Sequence, residues 1–98
     1  LPYTGVVGKS VSADVAEHFS VPYGIYVKKV NTDSPAMYAG IQAADVITEI
    51  NGESVGSMSE YEDILRKYQE GDTLKIKVRR ESIGGYADVE MKLVMGAR

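Results

Sequence analysis

One histidine and no cysteine stand among 98 residues, and that scarcity decides most of the covalent chemistry open to this chain. A serine-hydrolase triad needs a base histidine beside a serine and an acid. His18 is the sole candidate base, set between Glu17 and Phe19 on a predicted short helix. It reads as a solvated surface histidine, and no catalytic serine is expected to join it. A thiolate nucleophile, a disulfide and a cysteine metal site are excluded outright. A lone histidine leaves no zinc site, and the acidic residues do not fall in a calcium-loop spacing. Gly84-Gly85 reads as a turn, because no lysine motif or helix start follows it as in a phosphate loop. A small enzyme would need a constellation of Asp, Glu, Tyr and Ser that the spacing does not supply. The chemistry left is binding, with no cofactor and no metal expected.

Charge narrows the partner. Eleven Lys and Arg stand against 14 Asp and Glu, a net charge of −3, which argues against a nucleic-acid partner. Lys28, Lys29, Lys75, Lys77, Arg79 and Arg80 alternate with apolar residues, so they read as a solvated sheet face. Ninety-eight residues suit one domain, 1–98, and a chain of this size buries roughly 60–65% of its unfolded surface without staples. No apolar run approaches the roughly 20 residues of a membrane helix, and no signal peptide is visible. The chain opens at Leu1 without methionine, so it is expected to be a domain excised from a larger protein.

The elements that must position a binding site are readable in turn. Leu1 to Gly8 is a glycine-punctuated loop running into a short strand. Ser12 caps a short helix over Ala13 to Phe19, with Val15 and Phe19 expected on its buried face. Gly24 to Val30 reads as a strand. Ser34 caps the next helix, with Pro35 at its first position and Gly40 closing it. Val46, Ile47 and Ile50 mark a strand that ends in the hairpin pair Asn51-Gly52. Ser57 and Glu60 have capping-box spacing, so a helix starts near Met58. Tyr61, Ile64, Leu65 and Tyr68 repeat along it at helical spacing. Leu74, Ile76 and Val78 alternate with Lys75, Lys77 and Arg79 in a one-sided strand. Glu81 to Gly85 is a turn, and Tyr86 to Met95 forms the last strand, with Val89, Met91 and Leu93 expected inward. The order loop–β–α–β–α–β–β–α–β–β predicts a small α+β domain with an antiparallel, partly closed sheet barrel and two or three helices.

Five motifs in this order resemble the circularly permuted, bacterial type of PDZ domain found in HtrA (Deg-type) serine proteases. They are Tyr3-Thr4-Gly5-Val6, the turn and strand Tyr23-Gly24-Ile25-Tyr26-Val27, and Ser34-Pro35-Ala36 with Ala39-Gly40-Ile41. Asp45-Val46-Ile47 with Asn51-Gly52 follows, and Gly71-Asp72 with Val78-Arg79-Arg80 completes the set. The resemblance covers nearly the whole chain. Two positions depart from the pattern: Ala44 stands where the family usually has glycine, and Thr4 where it usually has an apolar residue. A positive φ would strain Ala44.

The resemblance implies that the domain binds C-terminal, mostly hydrophobic peptide ends by strand addition. It places the peptide carboxylate in the loop Tyr3, Thr4, Gly5 and Val6, where successive amides form an anion-binding nest. It pairs the peptide with the edge strand Val7, Gly8, Lys9 and Ser10. The other wall is the helix Met58 to Tyr68, contributing Met58, Tyr61, Glu62 and Leu65. Tyr61 and Leu65 form the pocket floor in that reading and are core residues in the plainer one; Ile64 and Tyr68 are core in both. Affinity would be micromolar, roughly −8 kcal/mol. The implied partners are the C-termini of unfolded proteins and a protease domain of the same parent, an extracytoplasmic serine endopeptidase of the cell envelope. The alternatives are a PDZ domain that acts mainly as a domain-interface or oligomerisation element, or one from another bacterial PDZ-bearing protease.

Overall fold

Three serines start three helices. In each, an extended serine backbone turns its hydroxyl onto the amide three residues ahead, satisfying one of the free N–H groups of a helix start. Ser12 accepts from Val15 at 3.3 Å, Ser34 from Met37 at 3.2 Å and Ser57 from Glu60 at 3.1 Å. The helices are α1 (Ala13–Phe19), α2 (Pro35–Ala39) and α3 (Met58–Leu65). The structure is a computed structural model that describes residues 2–97, the side chains of Pro2, Phe19 and Ala97 excepted.

Among the described residues eight strands join them: β1 (Pro2–Tyr3), β2 (Val6–Val11), β3 (Gly24–Val30), β4 (Val46–Ile50), β5 (Glu53–Ser54), β6 (Thr73–Ser82), β7 (Gly85–Val94) and β8 (Gly96–Ala97). All pairings among the described residues are antiparallel. The main sheet runs β2-β3-β4-β6-β7, with β5 hairpinned onto β4. β2 and β7 are its two ends and do not pair with each other, so the expected partly closed barrel takes the form of an open sheet. β1 and β8 bring the two ends of the chain together in a separate ribbon, Pro2 opposite Ala97 and Tyr3 opposite Gly96. β1 and β8 are absent from the expected order, since strands of two residues carry little pattern of their own; the two-residue β5 is marked by the Asn51-Gly52 turn before it.

The core is the face of the sheet covered by α2 and α3. Ile25, Val27, Ile47, Ile50, Leu74, Ile76, Val78 and Leu93 are buried there with Ala36 and Ile41. Val89 and Met91 pack against it from β7, as their alternation predicts. The opposite face carries an ion-pair ladder: Lys77 to Glu49 at 3.1 Å, Arg79 to Asp88 at 3.4 Å and Lys75 to Glu90 at 3.9 Å. This solvated face absorbs Lys75, Lys77 and Arg79.

Three local expectations change. Val15 is 43% exposed, because α1 lies on the surface with only Ala16 of its described side chains half-buried. The Phe19 side chain lies outside the described ones. α3 stops at Leu65 rather than Tyr68, since the amides of Lys67 and Tyr68 bond three residues back, to Ile64 and Leu65, at 3.1 Å. The turn expected over Glu81 to Gly85 shrinks to residues 83 and 84, because Ser82 pairs with Gly85 and Glu81 with Tyr86.

Candidate functional site

The loop between β1 and β2 is held from below by the start of α2. Thr4 is buried, and its carbonyl accepts from the Ala36 amide at 2.8 Å. The Gly5 carbonyl accepts from the Asn31 amide at 2.9 Å, and Asn31 Nδ2 donates to the Tyr3 hydroxyl at 3.1 Å. Gly5 has φ +87°, and a Cβ there would lie 2.2 Å from Cβ of the capping residue Ser34. The position therefore needs glycine twice, for its left-handed backbone and for the space. The Gly5 carbonyl is taken by Asn31, while among the described residues its amide has no acceptor. The Val6 amide has only a long contact, 3.4 Å, to Thr4 Oγ1. These amides are the groups that an anion could meet.

β2 leaves this loop as an edge strand, paired on one side only, to β3. Val7, Lys9 and Ser10 are exposed along it. The β2–β3 register slips between Val7 and Gly8. Gly8 sits at that bulge, where a Cβ would lie 2.8 Å from Ile25 Cγ2 and 2.9 Å from the Tyr26 carbonyl oxygen. Gly8, expected at the end of a loop, thus lies inside a strand and allows a close approach there.

α3 faces the edge strand. The Met58 amide, at the first helical position, donates to Ser10 Oγ at 2.8 Å and ties the helix start onto β2. Tyr61 and Leu65 lie one turn apart on the inward face, 4% and 7% exposed. Met58 is half-buried against the core and Glu62 is exposed. The Tyr61 hydroxyl reaches Thr4 Oγ1 at 2.6 Å, so the helix and the loop are joined by a buried bond. Burial pushes the Tyr61 phenol up to about 12, with the Thr4 hydrogen bond opposing that shift. The two expectations for Tyr61 therefore meet in one residue, which belongs to the core and touches the loop.

The loop, strand and helix to which the resemblance assigned these residues thus adjoin one another, α3 meeting the loop through Tyr61–Thr4 and β2 through Met58–Ser10. The supports Asn31, Ser34 and Ala36 were not anticipated. Ser34 was legible as a helix cap, but nothing local says that the cap also carries the loop. One pattern also escaped the sequence reading. Gly52-Glu53-Ser54-Val55-Gly56 has the Gly-x-Ser-x-Gly spelling of a nucleophile elbow. Ser54 lies instead in β5, paired opposite Glu49 in a hairpin, and does not have the positive φ of a strained turn. His18 is an exposed residue in the last turn of α1.

Comparison with known proteins covers the same ground. A family model described as PDZ domain matches residues 26–80. A probable periplasmic serine endoprotease, DegP-like, from Hahella chejuensis is 34% identical over 93 residues, which is 93% of this chain and 19% of that protein. The chain thus spans about a fifth of that relative. The crystal structure of the HtrA3 PDZ domain bound to a phage-derived ligand (FGRWV) superposes with a TM-score of 0.77 at 25% identity, covering 98% of this chain and 89% of that one. The HtrA-type protease AlgW with decapeptide superposes with a TM-score of 0.82 at 25% identity, covering 99% of this chain and 29% of that one.

Proposed function

Because the chain belongs to the PDZ domain family, of the kind found in HtrA serine proteases, we propose that it captures the C-terminal ends of peptides in the groove between β2 and α3. The observation that carries the proposal is the loop at Gly5. Its carbonyl is tied inward to Asn31, leaving its amide for a carboxylate at the head of an open strand edge. A peptide entering there pairs with the backbone of Val6 to Lys9 and presents its last side chain to Tyr61 and Leu65. Beyond Lys9, the Ser10–Met58 bond narrows the path between strand and helix. Charge-assisted bonds to the terminal carboxylate contribute about 1.5–3 kcal/mol each, so the end of the peptide supplies much of a micromolar affinity.

The reading extends to a parent protein. The two neighbouring structures carry a phage-derived ligand and a decapeptide, and the curated relative is named a periplasmic serine endoprotease. These support a domain, residues 1–98, that recognises unfolded protein ends for an attached serine protease outside the cytoplasm. The test is amide chemical-shift mapping during titration with a hydrophobic C-terminal peptide. Shifts concentrated at residues 4–10 and 58–65 support the groove. Shifts confined to another face favour the domain-interface alternative.

A further inference from the structure

Tyr61 is buried on the face of α3 that meets the Gly5 loop. Its ring is 4% exposed, and Leu65 one turn on is 7% exposed, so the space beneath the loop is filled by this chain's own side chains. The far end of the ring is anchored, with its hydroxyl 2.6 Å from Thr4 Oγ1, in the residue just before Gly5. Thr4 is itself 5% exposed and fixed through its carbonyl to Ala36. A long terminal side chain can enter only by swinging this ring out. That movement breaks a buried hydrogen bond, leaves two hydroxyls to find new partners and removes an aromatic ring from the core. A short side chain needs none of it.

We propose that Tyr61, held in place by Thr4, is the specificity-determining residue of the groove, and that it selects peptides ending in a small apolar side chain, alanine or valine, over those ending in leucine or phenylalanine. The proposal rests on the peptide-end reading of the groove and adds to it the size of the accepted residue. Thr4 acts here as a positioning residue, through the phenol.

The experiment uses one peptide sequence ended by Ala, Val, Leu or Phe, titrated against the domain and its Y61V, Y61F and T4V variants. The unaltered domain should bind the Ala and Val peptides at least tenfold more tightly than the Phe peptide. Y61V should improve Phe binding tenfold or more and flatten or invert the order. Y61F and T4V keep the ring and remove its anchor, so they should narrow the preference for Ala over Leu and Phe about threefold. Should Y61V fail to fold, these two variants decide the matter. Tighter binding of Phe than Ala by the unaltered domain, or variants that keep its full preference for Ala over Phe, would overturn the assignment of Tyr61 while leaving the peptide-end reading intact. Failure of every peptide with every variant would overturn both.

Discussion

Thr4 and Tyr61 are 57 positions apart and share a hydrogen bond of 2.6 Å inside the domain. The bond joins the loop at Gly5 to α3, the two elements on which the proposed peptide site rests. It also explains a departure from the family pattern. An apolar residue at position 4 would leave the Tyr61 hydroxyl buried without a partner, so Thr4 suits a tyrosine on α3.

The pair should reveal itself in stability. T4V leaves a buried phenol unpaired and should destabilise the domain by about 1–3 kcal/mol. Y61F should cost less, about 1 kcal/mol, because Thr4 Oγ1 still faces the Val6 amide. The double variant should be less destabilised than the sum of the two, and urea unfolding of all four proteins measures that coupling.

Alkali should find Tyr61 late. Its folded phenol is raised to about 12 from the ordinary value of 10.0, so folding favours the protonated form. That contribution, on the order of 2–3 kcal/mol, is fully present below pH 10, where both states are protonated. It is lost as pH rises from 10 to 12, because the unfolded chain ionises first. Phenolate absorbance read against Y61F should show one group ionising near pH 12, with the stability difference between the two proteins changing in that same interval.

Ala44 should be a site of easy improvement. It holds φ +74°, a conformation that glycine adopts without strain, while its amide donates to the Val27 carbonyl at 2.8 Å. A44G should stabilise the domain by up to about 1 kcal/mol, the relief of strain exceeding the added freedom of the unfolded chain. A lower melting temperature in A44G would contradict this.

Asp45 should behave in the opposite sense. Its buried carboxylate takes Nε and Nη2 of Arg80, each at 2.8 Å, and the Gln42 amide at 2.9 Å. The same pairing raises the Arg80 guanidinium above its ordinary value, chiefly through the hydrogen bond to Asp45. D45N should destabilise by about 2–4 kcal/mol, short of a fully buried pair because the Arg80 side chain is 29% exposed. Equilibrium unfolding in denaturant measures the loss.

Local chemistry explains how much could be read in advance. Ser34-Pro35 with Gly40, Asn51-Gly52 and the alternation of Leu74, Ile76 and Val78 each specify an element within a few residues, and each element forms where expected. Ala44 takes the positive φ that its place in the family pattern implied. What stayed hidden depends on distant partners. Asn31 supports Tyr3 across 28 positions, and Arg80 reaches Asp45 across 35. The phase of α3 gave Tyr61 an inward face but not the Thr4 hydroxyl at the end of its ring. Val15 misled because helical spacing says which residues share a face, and not whether that face is covered.

The most direct test of the account is fluorescence-polarisation binding of a hydrophobic C-terminal peptide, as the free acid and as its amide, to the domain and to G5A. Gly5 holds φ +87° with no room for a Cβ beside Ser34, so G5A must distort the loop. The account predicts micromolar binding of the acid, at least a tenfold loss on amidation, and a similar loss in G5A, provided that its unfolding curve shows a folded domain. Binding that is indifferent to both changes would contradict carboxylate capture by this loop.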